Sequence, residues 1–340
     1  MKRTILWGLT ALLLLSGCQP FGTIPSPTAT ASPTTPPETA TPFPLATATQ
    51  TSPPPTATPT EIPRPMIERV LIITVDGLRP EPITYDGLMP NLLSLMEKGV
   101  YSLEAQTIFP SSTLPAHASL ISGMCPDKHG IDWNDYLPDS GYANGPTLFD
   151  IAHEAGLRTV MIVGKEKLQQ ITNPDSVDRF LFINDRDSVI AEAATPIIAE
   201  GFGLMLIHLP LVDILGHEYG WMSSNYLVGT FRADEAIGMI LTALDEAGLR
   251  EGTLIIITAD HGGDMEFKHG GKHPAAMTIP WVLSEASLNP GAIRRPISIV
   301  DTAATAAYAL NLPVPSIWDG IPAYEAFGEI PPTRVELPCQ

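Results

Sequence analysis

The chain has 340 residues, 44% of them hydrophobic and only 16% charged, with a formal net charge of 19 − 37 = −18. An acidic chain without a basic cluster falls outside the class that grips polymeric nucleic acid through its phosphates. The length suits one large α/β domain or two small ones.

Lys2 and Arg3 precede an apolar run from Ile5 to Leu15, which is too short to span a bilayer. Leu15-Ser16-Gly17-Cys18 resembles the bacterial lipobox. The resemblance implies a signal peptide over 1–17, cleavage before Cys18 and acylation of that residue, with the protein lipid-anchored on the extracytoplasmic side of a bacterial cell membrane. Residues 18–65 are dominated by Pro, Thr, Ala and Ser and hold fourteen of the 35 prolines. Such a composition cannot bury enough apolar surface to offset ordering entropy, so an extended tether is expected there. At about 3.1 Å per residue it reaches on the order of 100 Å. The folded domain is expected over 66–340.

Within that domain, ERVLIITVDG (68–77) reads as a buried parallel strand and MPNLLSLMEKGV (89–100) as a helix. IFPSSTLPAHAS (108–119) holds three consecutive hydroxyls, Ser111, Ser112 and Thr113. Local pattern alone reads Thr113 as a helix N-cap, and leaves open whether one hydroxyl is a nucleophile. AHASLISGM (116–124) gives a short helix, and 147–167 a helix, a Gly stop and a strand. GFGLMLIHLPLVD (201–213) begins with an apolar strand, 232–249 is an amphipathic helix, 252–263 another buried strand, and 296–312 a closing helix. This alternation predicts an α/β fold, doubly wound around a mostly parallel sheet with helices on both faces.

Three of the apolar strands lead into acids: Asp76 after LIITV, Asp213 with His217 four residues on, and Asp260-His261 after LIIITA. Sites in open parallel sheets form at the carboxyl ends of strands, so these groups are expected to converge. Mixed Asp, His and hydroxyl donors suit Zn²⁺, with Mn²⁺ as the alternative. His269 and His273 are further candidates. Cys125 and Cys339 remain once Cys18 is set aside, and their pairing is left open.

VDGLRP, FPSSTLPAHASLISGMCPDKHGI, LVDILGHEYGW and TADHGG, in this order, resemble the nucleotide pyrophosphatase/phosphodiesterase branch of the alkaline phosphatase superfamily. The resemblance implies two zinc ions with a threonine nucleophile between them, which becomes transiently phosphorylated. It places Asp76, Thr113, Asp260 and His261 around one ion. Asp213, His217 and His269 surround the other, with His273 as the alternative last ligand. It gives Asn134 the role of touching phosphoryl oxygens, and leaves Ser112 as a fallback nucleophile. GKEKL (164–168) is closer to phosphonoacetate-hydrolase-like relatives, so Lys165 is expected either to contact an anionic substrate or to lie solvated in a loop. The expected substrate is a small phosphoester. No Arg lies in the nucleophile segment or beside Asn134, which favours a diester or pyrophosphate over a monoester; C–P cleavage is the other alternative. His117 stands where sulfatases carry Arg, which argues against that class. His117, His129, His153 and His208 are expected to be structural, and Cys125 to be buried packing.

Overall fold

Six of the seven residues of RVLIITV are buried, and this strand, β1 (Arg69–Val75), lies at the middle of an eight-stranded sheet. The computed structural model describes residues 67–340 except Phe267 and Val335. The signal peptide, Cys18 and the tether read from the sequence lie outside the described residues.

After β1 come α1 (Pro90–Lys98), β2 (Val100–Gln106), α2 (Thr113–Ser122), α3 (Pro126–His129), α4 (Leu148–Glu154), β3 (Thr159–Val163), β4 (Arg179–Phe182) and α5 (Asp187–Ala199). The second half contributes β5 (Leu204–Leu209), α6 (Leu211–Tyr219), α7 (Ser224–Glu246), β6 (Thr253–Thr258), α8 (Pro274–Met277), β7 (Thr278–Ser284), β8 (Gly291–Ala292) and α9 (Asp301–Ala309). The strand order is β4-β3-β5-β1-β6-β7-β2-β8. Only β7 runs against its neighbours, β6 and β2; every other pairing is parallel. The fold is therefore α/β and mostly parallel.

β5 and β6 are buried along their whole length, as strands covered on both faces must be. Helices α1, α5 and α6 pack on α7, while α2 and α4 pack on α9. Register then fixes the site. Val75 pairs with Leu209 and Thr74 with Thr258, so β1, β5 and β6 end level with one another at the same edge.

The N-cap of α2 is Ser112 rather than Thr113, which is the first helical residue. The cap therefore does not depend on the Thr113 hydroxyl. Helix α7 starts at Ser224, eight residues before the start read at 232, and its cap is the Ser223 hydroxyl, which accepts from the Tyr226 N–H at 3.2 Å.

Cys125 and Cys339 form a disulfide across a sequence separation of 214 residues, so the expectation that Cys125 is plain buried packing is corrected. The bridge fastens the C-terminus beside the segment that leads into α2, where the Phe109 N–H donates to the Cys339 carbonyl at 2.8 Å. Cross-linking so long a loop restricts the unfolded chain strongly. Cys339→Ser is expected to lower unfolding free energy by about 2–4 kcal/mol, measured by urea denaturation under non-reducing conditions.

Candidate metal centre and active site

Asp76 leaves the end of β1 fully buried. Gly77 follows it with φ +71°, and a Cβ there would stand 3.0 Å from both Cα and Cβ of Asp213. The absent side chain lets α6 bring Asp213 against Asp76. The register of β1 and β6 sets Asp260 on the other side, where its Oδ1 accepts from the N–H groups of Gly77 at 3.1 Å and His261 at 2.9 Å. The Trp221 indole braces this corner by donating to the Gly77 carbonyl at 2.9 Å. Gly263 and Gly216 make room for the indole: a Cβ on either would meet its ring at 2.1 and 2.6 Å.

Three carboxylate oxygens are buried here without a partner: Asp76 Oδ1, Asp213 Oδ1 and Asp260 Oδ2. Around two of them stand His261 Nε2, 3.5 Å from Asp76 Oδ1 and 3.4 Å from Asp260 Oδ2, and the Thr113 hydroxyl, 3.4 Å from the same nitrogen. The third, Asp213 Oδ1, faces His217 Nε2 at 3.5 Å and His269 Nε2 at 3.7 Å, with the two imidazole nitrogens 2.8 Å apart. Unpaired buried carboxylate oxygens are costly, and imidazole lone pairs pointing at them are the donor set a divalent cation completes. The residues present therefore fit metal ions, in two neighbouring groups. The donor atoms of Asp213, His217 and His269 lie within 4.8 Å of one another, as do those of Asp76, Asp213 and His261. Asp213 belongs to both groups.

Two of the three imidazoles are held in the tautomer that ligation needs. The His261 Nδ1–H donates to the Gly262 carbonyl at 2.8 Å, and that of His269 to the Ser111 carbonyl at 2.9 Å, leaving each Nε2 with its lone pair. Burial, then the neighbouring His269, lowers the His261 pKa to about 3, so that ring is neutral near pH 7. Burial pushes Asp76 up, but Lys165 and a hydrogen bond from His208 outweigh it and hold the carboxyl well below the usual range. Burial and the adjacent Asp76 charge push Asp260 well above that range.

All the sequence-assigned metal residues thus stand together, and His273 stands apart. It is exposed and caps α8, accepting from the Ala275 N–H at 3.2 Å. Asn134 reaches the start of α2, where its Oδ1 accepts from the Leu114 N–H at 2.9 Å and from Lys167 Nζ at 3.0 Å. Both partners are donors, which fixes the oxygen toward them and leaves the amide N–H₂ free to donate elsewhere. Ser111 is occupied in positioning His269: its hydroxyl donates to the Gly271 carbonyl at 2.8 Å and accepts from the Gly270 N–H at 3.0 Å.

Two contributors were not legible in the sequence. His208 is more than a structural residue, because its Nε2 bonds Asp76 Oδ2 at 2.9 Å while its Nδ1 accepts from the Gly164 N–H at 3.1 Å. Its signal was a lone imidazole inside the apolar run LMLIHL. Lys167 supplies a cation beside Asn134, so the absence of Arg in 108–119 does not leave this corner short of positive charge. His117 is buried beneath Thr113, with Nδ1 on the Thr113 carbonyl at 2.8 Å and Nε2 on the Thr74 hydroxyl at 2.9 Å. A cleft of about 310 Å³ opens beside these groups, lined by Asn134, Tyr136, Lys165, Lys167, Phe182 and Asn184 among others.

The sequence profile of the type I phosphodiesterase / nucleotide pyrophosphatase family matches residues 70–273, and the chain belongs to that family. An uncharacterized pyrophosphatase/phosphodiesterase of Schizosaccharomyces pombe is 29% identical over 215 residues, 57% of this chain and 44% of the relative. Ectonucleotide pyrophosphatase/phosphodiesterase family member 1 of Homo sapiens is 25% identical over 213 residues, 56% of this chain and 23% of the relative. The chain thus spans less than half the length of these relatives. Among solved structures, an inactive threonine-to-alanine form of murine ectonucleotide pyrophosphatase/phosphodiesterase 5 in complex with AMP superposes with a TM-score of 0.63 at 15% identity, covering 76% of this chain and 98% of the other. A 2-O GAG sulfatase gives 0.66 at 17% identity, covering 80% and 76%. These two likenesses show the alkaline phosphatase-like fold.

Proposed function

We propose that this protein is a surface-tethered, zinc-dependent hydrolase of small phosphodiesters or pyrophosphates that works through a phosphothreonine on Thr113. The observation that carries the proposal is the convergence of three unpartnered buried carboxylate oxygens, three imidazole nitrogens and one threonine hydroxyl at the ends of β1, β5 and β6. Asp76, Asp260, His261 and Thr113 would hold one ion, and Asp213, His217 and His269 the other. Bound zinc supplies Lewis acidity, lowering the pKa of an oxygen it holds and stabilising charge that builds on phosphoryl and leaving oxygens. Membership of the family and the solved murine neighbour, inactive as a threonine-to-alanine form, support this reading.

The chain's own groups do the positioning. Thr113 Oγ1 attacks phosphorus and the leaving alkoxide departs; water then cleaves the phosphothreonine and restores the hydroxyl. The Thr113 backbone N–H, in the first turn of α2, has no helical acceptor and donates to a non-bridging oxygen, with Asn134 Nδ2 as the second donor. The cleft takes the leaving group, with Lys167 as its cation and Tyr136 and Phe182 as its apolar walls. Lipidation of Cys18 and the tether place this chemistry at the outer face of a bacterial membrane, and the disulfide agrees with an oxidising compartment.

A panel of bis-p-nitrophenyl phosphate, p-nitrophenyl phosphate, ATP and phosphonoacetate tests the substrate class on the zinc-loaded protein. Higher kcat/KM on the diester or ATP than on the monoester is expected. Phosphonoacetate as the best substrate would move the assignment to C–P hydrolysis.

A further inference from the structure

Lys165 sits between the two groups of metal donors. Its Nζ lies 2.7 Å from Asp76 Oδ2 and 2.6 Å from Asp213 Oδ2. These are not the unpartnered oxygens, which are the Oδ1 atoms of the same two carboxylates. Each carboxylate is therefore divided. One oxygen is bound by the lysine, and on Asp76 also by His208; the other faces imidazole nitrogens. The backbone that carries the lysine belongs to the same network, because the preceding Gly164 N–H is bonded to His208. The ammonium is largely buried, with its side chain 19% exposed. The solvated loop read as one alternative for this residue does not describe it, and although it lines the cleft its ammonium is spent on the two carboxylates.

We infer that Lys165 is the internal counter-cation of the two-ion centre: it pairs with both Asp76 and Asp213 before metal arrives, offsetting one of their two charges, and fixes which oxygen of each faces an ion. The inference rests on the two-cation reading of the site. Its role is positioning, exerted through the two carboxylates. Two consequences follow. Without metal, three buried acids share this corner, and the lysine keeps two of them paired, which buried charges require. With metal held by these same carboxylates, a unit positive charge would stand close to each dication. Repulsion of that size in a partly buried site exceeds the roughly 10–100-fold effect that loss of a supporting hydrogen bond has on metal affinity. The lysine therefore weakens zinc binding while it orders the ligands.

The test uses the full chain, stripped of metal and titrated with zinc against a chromogenic chelator, alongside melting temperatures of the stripped and zinc-loaded forms. Lys165→Met is expected to bind zinc about tenfold or more tighter than the unaltered protein, and to melt earlier only when stripped. Lys165→Arg, which keeps the charge, is expected to stay within a few-fold of the unaltered affinity. A Lys165→Met protein that folds only with zinc present also supports the inference. Unchanged or weaker zinc binding in Lys165→Met with a raised KM overturns it and returns the lysine to the substrate. A variant that stays unfolded even with zinc, or an Arg variant that shifts as far as the Met variant, overturns it as well. If the unaltered protein takes up no zinc, the two-ion function and this inference fall together, whereas normal zinc uptake with no response to Lys165→Met removes this inference alone.

Discussion

Thr113→Ala is expected to lower turnover of the best phosphodiester by about 10⁴-fold or more, with zinc content and fold intact. The substitution removes a hydroxyl that faces the proposed donors of the first ion, 3.4 Å from His261 Nε2. Of the neighbouring hydroxyls, Ser111 is engaged with Gly270 and Gly271, while Ser112 stands at the N-cap beside Gly270 with no capping bond from its side chain. Because Ser112 rather than Thr113 caps α2, and Thr113 is 1% exposed without a capping bond, the helix keeps its start in the alanine form. Thr113→Ser retains the attacking atom and should keep most of the activity. Steady-state kinetics with metal analysis reads the first effect. Mass spectrometry of acid-quenched reactions reads the second: a phosphate adduct on the Thr113 peptide in the unaltered protein, and none in Thr113→Ala. Unaltered turnover by a zinc-loaded Thr113→Ala protein would remove Thr113 from the mechanism.

How much of this was legible in advance depended on the range of the interactions involved. β1, β5 and β6 are mostly apolar runs; Asp76 and Asp260 follow two of them closely, and Asp213 follows the third within the first turn of α6, so composition exposes both the strands and the acids beyond them. β4 was not found, because RFLF is four residues at a sheet edge, with alternate residues exposed, and offers little burial to detect. α5 was missed for another reason: a proline at position 196 and a threonine before it weaken a helical pattern that packing against α7 sustains. The start of α7 was misplaced because YLVGTF is as β-prone as it is helical. At the site, the metal donors were legible as types at strand ends. The partners that orient them were not. His208 looks like core from its neighbours in sequence, and Lys165 looks like a surface cation until Asp76 and Asp213, 89 and 48 residues away, are brought to it. Such pairings are set by register and topology, which short-range pattern does not contain.

Removal of metal is the other perturbation with a large expected effect. Chelation of the zinc-loaded protein should lower activity by about 10³-fold or more, restored by zinc, and should also lower the melting temperature, because ions that bind only the folded chain stabilise it by mass action. The size of that drop depends on pH, and the sign follows from Asp260. In the metal-free protein its carboxyl lies above the ordinary value, through burial and the Asp76 charge. A folded-state pKa above the unfolded one gives stability that is fully present at pH below about 3.9 and is lost as pH rises toward the folded value. The stripped protein therefore loses this contribution as the solution becomes less acidic. In the loaded protein the same carboxylate would be paired with a dication, which favours the ionised form and removes the loss. The gap between loaded and stripped melting temperatures is accordingly expected to widen from pH 5 to pH 8. Differential scanning calorimetry at matched ionic strength measures it. A gap that is flat or narrows with rising pH would mean that Asp260 is not a metal ligand. In Asp260→Asn the pH-dependent part of the gap should become smaller, and tight binding at the site that Thr113 shares should be lost.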